Sequence, residues 1–129
     1  LQELQKHYRK KAVLDGVNLD IPAGSVVGLL GKNGEGKTTL IKCALGLIAA
    51  TGGRAEVLGE NSWRLTGPTK ARIGYVPQVV QLYPWLTVRQ AIDYFAAFYS
   101  KWNDRLVGDL VREFNVDPKQ RIGVLSVGT

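Results

Sequence analysis

With 129 residues, 45% of them hydrophobic, and a net charge of +6 at a pI of about 9.6, the chain can build one core but stands near the low end for a complete α/β domain. No apolar run approaches the roughly 20 residues of a bilayer span and no charged segment followed by an apolar stretch opens the chain, so it reads as soluble and not secreted in its own right. The basic balance suits an anionic partner, whether a nucleic acid, a membrane surface or a phosphate ligand.

The chain opens on "LQELQKHY", inside an apolar and polar alternation, and contains no methionine. Its densest basic run, "KHYRKK" at residues 6–11, reads as a solvated turn between two strands. A nucleic-acid patch would call for a second basic stripe with interleaved aromatics, and none follows. "VNLDI" places Val17, Leu19 and Ile21 on one face, as in a half-buried strand, and "IPAGS" supplies a turn. "VVGLL" at 26–30 is continuously apolar, which predicts a central strand covered on both faces. A glycine-rich loop comes next, then "KTTLIKCALGLI" as a helix that buries the single cysteine, Cys43.

"AEVLG" and "RIGYVPQ" read as further short strands. From Thr87 the period changes: Thr87 can cap a helix with Gln90, and Val88, Ala91, Ile92, Phe95 and Tyr99 fall at helical spacing. Leu106, Leu110, Val111 and Phe114 form a second such stripe. Both stripes are expected to pack in the core. The chain shows no internal repeat and no low-complexity linker.

The strongest chemistry lies in "GKNGEGKTT", residues 31–39. Gly31, Gly36, Lys37 and Thr38 fit G-x-x-x-x-G-K-[ST] between an expected strand and an expected helix. Gly31, Gly34 and Gly36 let the backbone wrap a phosphate closely, and successive N–H groups with the helix N-terminus face the anion. Lys37 can place a point charge between β- and γ-phosphates, Thr38 can ligate Mg²⁺, and Thr39 can donate to an α-phosphate. A glycine turn that merely joins strand to helix would not require Lys37 and Thr38. Glu35 is unexpected, because a carboxylate in a phosphate cradle repels its ligand unless it points to solvent.

This loop, "YVPQ" with Gln78, and the terminal "LSVGT" occur in that order, with Tyr8 upstream. Together they resemble the ATP-binding domain of the ABC ATPase family over nearly the whole chain. The short separations between Lys37, Gln78 and Ser126 are similar to those of transporter ATPases. The resemblance implies an α/β P-loop core with an antiparallel β portion and a helical subdomain, divided as 1–86 and 87–129, the core occupying 12–76. It implies that Tyr8 stacks on adenine with Val13 beside it, and that Gly31, Lys32, Asn33, Gly34, Glu35, Gly36, Lys37, Thr38 and Thr39 hold the phosphates of ATP. Lys37 and Gln78 would be catalytic, and Thr38 and Gln78 would reach Mg²⁺. Tyr83 and Trp85 lie where such a domain docks on a membrane subunit, exposed for that contact or packed.

In this family the signature serine and glycine, here Ser126 and Gly128, bind the γ-phosphate held by a second, head-to-tail ATP-binding domain. Val127 and Thr129 depart from the commoner LSGGQ. An apolar strand ending in an acidic pair and a switch histidine would follow the signature; the single histidine, His7, precedes the loop. The chain is therefore expected to be an interrupted domain, incomplete at its C-terminus, with residues 26–30 left at a sheet edge. By themselves residues 1–129 are expected to bind nucleotide without hydrolysing it. The region from "AIDYF" to "NVDP" looks most like ATPases of ABC-2-type exporters. The implied protein is cytoplasmic, peripheral at the inner face of the membrane, with a membrane-spanning subunit and no nucleic acid as partner. A soluble ABC ATPase of another process and an inactive truncated module stay open as alternatives.

Overall fold

The computed structural model describes residues 1–79 and 82–125. It divides into two compact units, residues 1–73 and residues 74 onward. In the first, β1 (Gln2–Tyr8) and β2 (Lys11–Val17) form an antiparallel hairpin in which Tyr8 pairs with Lys11 and Leu4 with Val17. Arg9 turns the chain in the left-handed conformation, φ 54°, and Arg9 and Lys10 are exposed. The centre of the basic run is thus the expected solvated turn between two strands, and its flanks belong to the strands themselves. β3 (Gly52–Arg54) pairs with the other edge of β1, giving the order β2-β1-β3.

Helix α1 (Lys37–Ala44) packs on this sheet. Leu40 and Cys43, three apart and so on one face, meet Leu4, Leu14 and Ala55 in a buried cluster. Leu4 is 0% exposed; burying each such leucine contributes about 1.5–3 kcal/mol. Burial pushes the Cys43 thiol above its ordinary value, against the opposing pull of Lys6, so Cys43 is a small core hydrophobe. The helix ends sooner than "KTTLIKCALGLI" suggests. Gly46 takes φ 68°, its N–H donates to Cys43 O and that of Leu47 to Lys42 O, the two bonds that close a helix through a left-handed glycine. A short hairpin, β4 (Glu56–Val57) with β5 (Glu60–Asn61), a 3₁₀ turn at Ser62–Arg64 and α2 (Gly67–Lys70) complete the unit.

Three strand expectations are corrected. Residues 26–30 form no strand, and Val26 and Leu30 are 101% and 94% exposed. A central strand draws its hydrogen bonds from neighbours on both sides, and no described strand pairs with this segment, so it is neither buried nor a sheet edge. "RIGYVPQ" is irregular for the same reason. "VNLDI" continues past the end of β2, held where Leu19 N–H donates to Leu1 O and the Leu1 amino group to Leu19 O.

The second unit contains α3 (Val88–Ala96) and α4 (Asp104–Glu113). Thr87 and Gln90 form the expected reciprocal cap. The first two N–H groups of α3, on Val88 and Arg89, donate to Gln120 O and Pro118 O, and that of Gln90 to Thr87 Oγ1. The first three free donors of this helix start are therefore satisfied. Val88 and Ala91 are buried. Much of the two stripes departs from the expected core: Phe95 on α3 and Tyr99 beyond its end are exposed, as are Leu106 and Leu110 on α4 and Phe114 after it, while Ile92 and Val111 are half-buried, since a helical period marks a face without specifying what covers it. No helix among the described residues is long and apolar enough to cross a membrane.

Candidate functional site

The loop of residues 31–39 runs into α1, whose cap residue is Gly36 at φ 89°, ψ 6°. Gly34 also takes a left-handed φ, 86°. Gly36 brings no side-chain acceptor to the helix start, so the N–H groups of Lys37, Thr38 and Thr39 stand at the positive end of the helix dipole. Gly36 lies against the hairpin: a Cβ there would stand 2.8 Å from Val13 O and 3.0 Å from Val13 Cγ1. Val13, half-buried on β2, is thereby brought to the loop.

Two charged side chains of the loop, Lys37 and Glu35, contact its own backbone. Lys37 Nζ donates to Gly31 O at 2.7 Å and Lys32 O at 2.6 Å. Glu35 Oε2 accepts the N–H of Lys32 at 2.8 Å. The carboxylate thus faces the cradle and not bulk solvent alone. Lys32, Asn33 and Thr38 are exposed, and Thr39 is half-buried. Glycine conformations, a helix start without a cap acceptor, and a backbone N–H engaged by an anionic oxygen all suit a phosphate group.

Tyr8 ends β1 and is 49% exposed. Lys6 Nζ lies 4.9 Å from the ring centroid and donates to Ala49 O. Sequence reasoning missed Lys6; the two-residue period of a strand was the available signal. Gln78 is exposed in irregular backbone of the second unit. Ser126 and Gly128 lie outside the described residues. Tyr83 and Trp85 are both exposed and also pack together, ring centroids 5.1 Å apart, with Tyr94 edge-on to Tyr83 at 5.9 Å.

A glycine-rich loop leading into a helix that packs on a β-sheet is the arrangement of the P-loop α/β class. Within it the profile of the ABC transporter family matches residues 14–129, and the chain belongs to that family. It is 39% identical over 98 residues to the probable multidrug ABC transporter ATP-binding protein YbhF of Escherichia coli K12, covering 76% of this chain and 17% of that one. It is 31% identical to the bacitracin transport ATP-binding protein BcrA of Bacillus licheniformis, covering 95% of this chain and 44% of that one. A solved ATP-binding subunit of an ABC transporter matches 97% of this chain with a TM-score of 0.84 at 26% identity, 54% of that subunit being covered. The chain therefore spans less than half the length of these curated relatives, and its fold is the α/β P-loop fold expected of it.

Proposed function

We propose that this chain is ATP-binding sequence of an ABC exporter, part of a protein that couples ATP binding and hydrolysis to transport through a membrane-spanning subunit. The observation that carries the reading is the loop at residues 31–39, with Lys37 opening α1, in a chain of this family. Multidrug and bacitracin transport name the relatives and support the exporter class.

In this reading Tyr8 and Val13 receive the adenine, and the loop from Gly31 to Thr39 receives the phosphates. Lys37 leaves Gly31 O and Lys32 O to compensate charge on the transferring phosphoryl group. Gln78 orients the attacking water, while Ser126 and Gly128 reach the nucleotide of a second, head-to-tail ATP-binding domain. Thr38 and Gln78 would hold Mg²⁺, which when bound neutralises the β- and γ-phosphate oxygens. Among the described residues no cluster of His, Cys, Asp or Glu offers an all-protein metal site, which suits an ion carried in with the nucleotide. Residues 1–86 form the β portion and core, and 87–129 the helical subdomain. The protein works in the cytoplasm, at the inner face of the membrane.

The test is ATP binding and phosphate release by the protein at its natural length, beside Lys37→Ala. Turnover falls by at least about 100-fold in the variant, the scale for losing one transition-state charge contact. Equal phosphate release by both proteins would remove the reading.

A further inference from the structure

The Glu35 carboxylate does what a phosphate oxygen would do in this loop. Its Oε2 accepts the Lys32 N–H at 2.8 Å, and it stands close enough to Gly31 that a Cβ there would fall 2.7 Å from it. The Glu35 N–H in turn donates to Lys32 O at 3.4 Å, so residues 32–35 close on themselves through both main chain and side chain. Lys37 Nζ meanwhile lies on Gly31 O and Lys32 O. One backbone donor and the Lys37 ammonium are thus both engaged by the loop itself.

We propose that Glu35 is an intramolecular competitor for the nucleotide phosphates, occupying a donor of the cradle with its own anionic oxygen and setting a weakened, phosphate-dependent affinity. This rests on the reading of residues 31–39 as a nucleotide site. One N–H cannot serve a carboxylate and a phosphate oxygen at full strength. A bound polyphosphate must therefore displace the carboxylate, and afterwards the displaced charge still stands beside it. The penalty grows with the number of phosphates and shrinks as salt screens the repulsion. Glu35 is exposed, so its exchange for another side chain disturbs no core.

The experiment is equilibrium binding of ATP and AMP, by calorimetry, to the protein at its natural length and to Glu35→Ala, Glu35→Gln and Lys37→Ala. Both Glu35 variants bind ATP more tightly than wild type, Glu35→Ala by about three- to tenfold, the net scale of one hydrogen bond in an exposed loop. The gain is smaller for AMP and declines at high salt. ATP affinity within about twofold of wild type in Glu35→Ala, or weaker, overturns the proposal, provided that Lys37→Ala has lost binding. Binding that Lys37→Ala leaves intact overturns the nucleotide reading of the loop instead, and this inference with it.

Discussion

The main chain of Val13 fills the space that a side chain on Gly36 would need. A Cβ on Gly36 would stand 2.8 Å from Val13 O and 3.3 Å from Leu14 Cδ2, at a residue whose φ is 89°. The hairpin and the start of α1 are seated on each other through that missing side chain. Gly36→Ala combines left-handed strain with a backbone clash and is expected to cost about 2–3 kcal/mol. Each kcal/mol lowers the melting temperature by about 4–8 °C for a unit of this size. An unchanged melting temperature would show that β2 and α1 do not meet as described.

A second glycine provides a graded comparison. Gly46, at φ 68°, follows α1, and a Cβ there would fall 1.8 Å from Ser62 O, while Ser62 Oγ donates to Ala44 O at 2.5 Å. Ser62 is thus drawn against the helix end, and its backbone has no room to withdraw. Gly59 shares the left-handed φ, 82°, but has nothing within 4 Å of a Cβ. Urea unfolding of the three alanine variants is expected to rank Gly46 as costliest, above about 3 kcal/mol, Gly36 next, and Gly59 least, at the 1–2 kcal/mol or so of left-handed strain alone. Equal costs at Gly46 and Gly59 would refute the packing of Ser62 on α1.

What the sequence could and could not reveal divides along the range of the forces involved. The Thr87 and Gln90 cap, the turn within "KHYRKK" and the burial of Cys43 in its helix are local, set by residues close in sequence, and each is found where its pattern falls. The apolar run at 26–30 reports only that the segment favours burial; its ladder has to come from elsewhere in the chain, and no described strand supplies one. Leu106 and Leu110 are helical in period yet exposed, because a stripe does not specify what covers it. At the site, the spacing of Gly31, Gly36, Lys37 and Thr38 was legible. The position of the Glu35 carboxylate on Lys32 N–H was not, since it depends on side-chain torsions that one residue's identity leaves open.

Tyr8 has one neighbour of consequence for a base, the Lys6 ammonium 4.9 Å from its ring centroid. A purine stacking on this ring draws on its π face without reading its own edges. Tyr8→Ala is expected to weaken ATP and GTP alike by about 1 kcal/mol, roughly fivefold in Kd, whereas Tyr8→Phe leaves both near wild type. Calorimetric titration of each nucleotide decides it. Affinities untouched by the alanine change would deny Tyr8 the stacking role.

Glu60 ties β5 to the start of α2 and makes the stability of the first unit sensitive to acid. Its Oε2 accepts the Thr66 N–H at 2.8 Å, and its Oε1 accepts the hydroxyls of Thr69 at 2.5 Å and Thr66 at 2.9 Å. The Thr66 N–H first, then the Thr69 hydroxyl, hold this carboxyl below the usual glutamate range. A lowered folded pKa means that the unfolded chain takes up the proton first as pH falls. The contribution is therefore fully present above the unfolded value of about 4.3 and is lost as pH drops below it through the folded value. Melting temperatures measured from pH 7 down to pH 3 should show Glu60→Gln less stable than wild type at neutral pH, with the gap closing below about pH 4. The difference between the two proteins is the readout, because other carboxylates titrate in both. A gap that persists unchanged at pH 3 would mean that the three donors do not distinguish the ionised carboxylate from its neutral replacement.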